Sequence, residues 1–270
     1  MGLWTLTHLY QLIPTVAVFI ILAIVGKKTL GKCPRRLQYI PFQVISVALL
    51  VLEVIKQIKS FDGGSYNLYS LPLHYCSLFL YVLPFHAFYR GKHSRFVNAV
   101  AFGCLASLTL DMILMPEIIY SSWDIKNFFS DFFCFHTVTF HNLVILYFIL
   151  TVAFRAYELR TKHDLKVMGI FLAVYVAIAA TFSYTLKVNY HSLYRCNIGF
   201  LEGVRANMVE KLGALGSVIY VSIMFVLTIL FAYAAYFLAK LLIRGIDRIS
   251  ARKSEAIGEE YALTTDEAAE

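Results

Sequence analysis

Tyr10-Gln-Leu-Ile-Pro-Thr-Val-Ala-Val-Phe-Ile-Ile-Leu-Ala-Ile-Val-Gly26 carries no charge, and the first basic residue of the chain is Lys27. A run of this kind matches the about 20 apolar residues that cross a bilayer as a helix. It has neither the basic lead nor the small-residue cleavage site of a secretory signal, so the expectation is a retained span.

Working outward, similar runs follow. The second is read from Pro41 to Ile58, the third from Pro72 to Tyr89 and the fourth from Phe96 to Met115. A fifth covers Phe132 to Arg155, a sixth Val167 to Leu186 and a seventh Leu212 to Leu238. The competing count is six, with the first segment lying in the membrane interface. Composition agrees with a membrane chain: 59% of the 270 residues are hydrophobic and 15% charged, against about 45–50% and about 25% in soluble domains. A water-soluble globule and a disordered chain are both excluded.

The net charge of +7 reports topology rather than a nucleic-acid face. Lys27, Lys28, Lys32, Arg35 and Arg36 lie between spans 1 and 2, and Arg90, Lys92 and Arg95 between spans 3 and 4. Arg155, Arg160, Lys162 and Lys166 lie between spans 5 and 6, and Lys240, Arg244, Arg248, Arg252 and Lys253 after span 7. These are 17 of the 24 basic residues, and they alternate in register with seven spans. The reading is an all-α, polytopic membrane helical bundle of about seven transmembrane helices, amino terminus outside and carboxyl terminus cytoplasmic. Residues 1–243 form the transmembrane domain. Residues 244–270 form a cytoplasmic tail, basic and then acidic (Glu255, Glu259, Glu260, Asp266, Glu267, Glu270), whose composition predicts disorder. The partners expected are membrane lipids and not nucleic acid, with no cofactor; the oligomeric state is not legible.

Cys33, Cys76, Cys104, Cys134 and Cys196 form no CxxC pair and are odd in number, which argues against a disulfide framework or zinc knuckle. Cys134 and Cys196 fall on the same predicted outer side, where a single bridge between them is one option.

Ionisable groups inside a span cost about 2.5–3.5 kcal/mol at the helix centre and normally face a protein interior or a water-filled cavity. Glu53 in span 2, His74 in span 3, Asp111 in span 4 and His141 in span 5, with His136 near its outer end, all fall toward the outer leaflet. Each alone is open to the plainer reading of a side chain snorkelling to the interface. As a set they point to one polar chamber opening outward. Lys187, Asn189, Tyr190 and His191 after span 6, and Arg205 and Asn207 before span 7, are further candidate lining. On an ideal helix His74 and Cys76 are about 200° apart and His136 and His141 about 140° apart. Sharing a pocket therefore needs irregular backbone, which Pro72 permits for the first pair. No i, i+3 or i, i+4 pair suits a helical metal motif, so no metal site is expected.

Leu71-Pro72-Leu73-His74-Tyr75-Cys76-Ser77 resembles the Pro-Leu-His-x-Cys signature of the YwaF-like bacterial integral membrane proteins. Phe140-His141-Asn142-Leu143 follows, opening an apolar helix, and then Asn189-Tyr190 with Tyr194 and Cys196. The likeness covers roughly residues 40 to 240 and implies a multi-pass protein of the bacterial plasma membrane. These proteins are distantly similar to the transmembrane protein 164 family, described as cysteine-dependent phospholipid acyltransferases, and through it to the androgen-induced fatty-ester hydrolases. The resemblance implies acyl transfer by a nucleophile and a histidine on separate spans, with His141 and His74 on the family's histidine positions. The family's cysteine directly precedes the third-span histidine, where this chain has Leu73. Cys76 is a displaced equivalent, or the branch does something else. Within that chemistry Cys76 or Ser77 would attack, His141 or His74 would act as base, and Glu53 or Asp111 would orient it. His136, Lys187, Asn189, Tyr190 and Arg205 would line the substrate's path. The alternative class is a small-solute or proton-coupled transporter with an outward-facing polar chamber.

Overall fold

The structure, a computed structural model, describes residues 5–62, 64–196 and 199–267, the side chains of residues 62, 117, 118 and 253–267 excepted. The acidic tail side chains therefore lie outside the described ones. Among the described residues, six helices are long and apolar enough to cross a membrane. They are α1 (Leu6–Leu30), α3 (Ile40–Lys59, continuing from the short α2, Arg35–Gln38), α5 (Ser94–Leu114), α8 (Phe132–Ala153), α9 (Thr161–Leu186) and α11 (Ala214–Glu267). The seventh apolar helix is short: a 3-10 turn at Tyr75–Ser77 runs into α4 (Leu78–Phe88). Short helices α6 (Pro116–Ile119), α7 (Ser122–Lys126) and α10 (Gly199–Leu212) join the spans. A two-residue hairpin, Phe61–Asp62 with Ser65–Tyr66, follows α3.

The seven apolar segments fall where hydropathy puts them, with two differences. The third is shorter than Pro72 to Tyr89, because His74 is extended (φ −72°, ψ 157°) and the chain turns helical only after it. The last helix runs unbroken through residue 244, where the tail is expected to begin. The first segment is a 25-residue apolar helix packed along α8, long and apolar enough to span.

α5 stands at the centre, packed on α4, α8, α9 and α11. Its sequence suits that position: Ala99, Ala101, Gly103, Cys104, Ala106 and Ser107 are small and buried, and small residues let membrane helices approach closely. A methyl group on Gly103 would collide with Met168 Sδ of α9 and displace that side chain. α1 lies at the periphery, burying only His8 and Ala23. His8 nevertheless ties it in: its Nδ1 is 2.5 Å from Thr5 Oγ1 and its Nε2 is 3.3 Å from the Tyr120 carbonyl. All five cysteines are free, so the optional Cys134–Cys196 bridge is absent.

Candidate functional site

At the end of the bundle opposite the basic loops, two irregular segments replace helix. Residues 60–62 and 64–77 are held by α3 and α9: Gln57 Nε2 donates to the Ser70 carbonyl at 2.8 Å, and Tyr175 Oη donates to the Leu73 carbonyl at 3.0 Å. Residues 187–196 fold back into the bundle, with Tyr190 and Leu193 fully buried. Tyr190 Oη donates to the Leu68 carbonyl and so locks one segment to the other. Non-helical backbone at membrane depth persists only where protein or a cavity satisfies it, and these tyrosine and glutamine bonds do so. Lys187, His191 and Ser192 all have positive φ (57°, 50° and 56°). Each left-handed non-glycine residue costs about 1–3 kcal/mol, and such strain tends to gather at functional sites.

Glu53 is buried on α3. Its Oε1 accepts from Lys56 Nζ at 2.8 Å and from Gln57 Nε2 at 2.5 Å, while its Oε2 stands 3.5 Å from His136 Nε2 of α8. That histidine nitrogen is buried and makes no hydrogen bond among the described residues. His74 precedes the 3-10 turn and donates from Nε2 to the Tyr69 carbonyl at 3.0 Å, its ring edge-on to Tyr190 with centroids 5.3 Å apart. Because His74 lies outside the helix, the helical-wheel separation from Cys76 does not apply. Cys76 is half-buried and Ser77 buried in that turn, and neither side chain hydrogen-bonds to a histidine among the described residues.

His141 is buried on a different face of α8 from His136, as their spacing requires, since α8 is regular from Phe132. Its Nδ1 donates to the Thr137 carbonyl at 2.6 Å, and its ring packs beside Phe140 and Tyr120. Asp111 lies half-buried on α5 and its carboxylate has no hydrogen-bond or ion-pair partner among the described residues.

The expected substrate-path residues mostly carry structural bonds. Lys187 caps α9 in the left-handed conformation. Asn189 Oδ1 accepts from the backbone N–H groups of Tyr194 (3.2 Å) and Arg195 (3.0 Å). Arg205 is paired to Glu202 through Nε at 2.7 Å and Nη2 at 2.5 Å, and this guanidinium holds the Glu202 carboxyl below its ordinary range.

One pairing escapes sequence reasoning. His191 Nε2 lies 2.9 Å from Thr228 Oγ1 of α11, and the imidazole stacks on Tyr75 with centroids 5.1 Å apart. Tyr75 Oη in turn is 2.5 Å from Ser107 Oγ of α5. Burial pushes the His191 imidazole down to about 4, and the nearby His74 adds to the effect. The only sequence signal is a polar Asn189-Tyr190-His191 run directly after a span; nothing marks Thr228 as its partner.

These bonds, with the 3.5 Å approach of His136 to Glu53, connect α8, α3, both irregular segments and α11 into one polar and aromatic belt. Among the described residues no three His, Cys, Asp or Glu side chains converge as metal ligands would. No curated protein and no solved structure matches the chain. A family model does match, over residues 3–235, which include every helix from α1 to α10, both irregular segments and the first part of α11. A multi-pass helical bundle bearing this belt is thus a member of the TMEM164 family.

Proposed function

We propose that this protein is an intramembrane acyltransferase or lipid-ester hydrolase acting on a phospholipid or fatty ester drawn from the outer leaflet. One observation carries the reading. His74 and His141 each commit one ring N–H to a backbone carbonyl, which fixes the tautomer and leaves the opposite nitrogen, Nδ1 of His74 or Nε2 of His141, as a lone pair able to take a proton.

The chemistry then uses the chain's own residues. Cys76 or Ser77 adds to the ester carbonyl while a histidine accepts its thiol or hydroxyl proton. Collapse of the tetrahedral adduct breaks the ester C–O bond, and the same histidine returns the proton to the departing alcohol. An acceptor hydroxyl or water, deprotonated in turn, releases the acyl group and regenerates the nucleophile. Glu53, 3.5 Å from His136, supplies the negative charge at this level of the bundle.

The orientation that goes with this reading has the amino terminus outside and the carboxyl terminus cytoplasmic, supported by the alternation of basic loops. The Pro72-Leu73-His74-Tyr75-Cys76 motif supports a place in the YwaF-like branch, in a bacterial plasma membrane. A second reading, proton-coupled transport, draws on the partnerless Asp111 carboxylate in the central helix.

Purified protein is incubated with acyl-labelled phospholipid, beside His141→Ala, His74→Ala and Cys76→Ala. Transfer of label to a lysolipid or to water, lost in the variants, supports acyl chemistry. No turnover above the variants across lipid classes, together with proton uptake abolished by Asp111→Asn in liposomes, favours transport instead.

A further inference from the structure

The basic end of the bundle holds a separate crevice of about 480 Å³ between α1, α8 and α11. That is within the about 300–1,000 Å³ of small-molecule pockets. Its floor is Phe148 and Val152 of α8, and its walls are Ile20 and Ile24 of α1 and Ile243 and Ile246 of α11. α1 packs chiefly on α8, and α11 on α5, α9 and α10, so the slot between the two outer helices faces the bilayer. Ile20 and Ile24, at 47% and 51% exposure, mark that opening.

The three elements grade in the same sense. Each is apolar toward the middle of the bundle and polar at the mouth, where Lys27, Arg155 and Asp247 lie. Along α1, Ile20 to Lys27 spans about 10 Å, a depth suited to an acyl chain. Arg155 is left-handed without being glycine (φ 51°), and its carbonyl accepts from Arg35 Nη2 at 3.2 Å. In this conformation its guanidinium reaches Asp247 Oδ1 at 2.6 Å. Arg155 neutralises Asp247, Lys27 has no ion-pair partner among the described residues, and Arg35 stands behind.

We propose that this crevice binds an anionic glycerophospholipid of the leaflet at the basic end, one acyl chain in the slot and its phosphate between Lys27 and Arg155. The mouth's positive charge complements a phosphate diester, and the apolar walls complement the chain. This lipid is distinct from any ester acted on at the opposite end.

The test is native mass spectrometry of the full chain in mild detergent, titrated with phosphatidylglycerol or phosphatidylcholine of matched chains. One phosphatidylglycerol is expected to remain bound, with a Kd at least tenfold lower than for phosphatidylcholine. Lys27→Gln is expected to erase that preference, and Ala153→Phe to weaken both lipids tenfold or more with an unchanged thermal midpoint. Ile246→Trp fills the same slot from α11 should Ala153→Phe misfold. Equal retention of both lipids, variants that bind like the parent, displacement by glycerol 3-phosphate alone, or a second copy of the chain in place of lipid would each overturn the proposal.

Discussion

Glu53 Oε2 on α3 and His136 Nε2 on α8 stand 3.5 Å apart in a buried setting, while Glu53 Oε1 is held by Lys56 and Gln57. Removing one partner of a buried ion pair costs about 3–5 kcal/mol, because the remaining charge has no counterion. Glu53→Gln should therefore destabilise the protein in detergent by roughly 3 kcal/mol. The double variant Glu53→Gln with Lys56→Gln should recover more than half of that loss. Equilibrium unfolding of the three proteins measures both effects.

His74 and His141 each present one unprotonated ring nitrogen. General-base catalysis contributes about 10²–10⁴-fold. Whichever of His74→Ala and His141→Ala removes the base should lower acyl turnover by that factor at unchanged thermal midpoint, the other by less than tenfold. Two variants with full activity would remove both from the reaction.

Gly103 lets α5 and α9 approach so closely that a side-chain methyl at this position would overlap Met168 Sδ. Gly103→Ala should cost about 1–3 kcal/mol through overpacking. Shortening the opposing side chain with Met168→Ala in the same protein should relieve part of it, so the two changes should be less destabilising together than their sum. Comparison of melting midpoints in a double-mutant cycle gives the answer.

His191 is held down to about 4 in the folded chain by burial and by His74, whereas an unfolded histidine titrates near 6.5. The unfolded state binds the proton first as pH falls. The stability contributed by keeping His191 neutral is complete above about pH 6.5 and is lost progressively as pH falls toward 4. A stability profile between pH 4 and 7 should show this slope, and His191→Gln should flatten it.

The spans are legible because hydropathy is a property of composition, and Tyr10 to Gly26 could be nothing else in water or lipid. Hydropathy overextends the third because it does not register where hydrogen bonding turns helical: Pro72 and Leu73 form a turn that ends in extended His74, held by Tyr175 and Tyr69. The depth of the buried polar residues also follows from sequence, which puts Glu53 and His136 at one level. Their pairing, by contrast, depends on the rotation of α3 and α8, which no single sequence fixes. His191 and Thr228 are further out of reach. They are brought together by left-handed turns at Lys187, His191 and Ser192, and neither Lys nor Ser marks a left-handed position in a sequence.

α4 has eleven helical residues, or about 16 Å of rise, against a hydrocarbon thickness of about 30 Å. The shortfall lies at the end where His74 and Cys76 sit. Seven of the eleven residues are buried, so neighbouring helices surround most of α4, and the remaining thickness is filled by the irregular segment that carries His74 and Cys76. In the reading proposed above, that non-helical shelf, rather than a helix face, would present the reacting groups to a lipid.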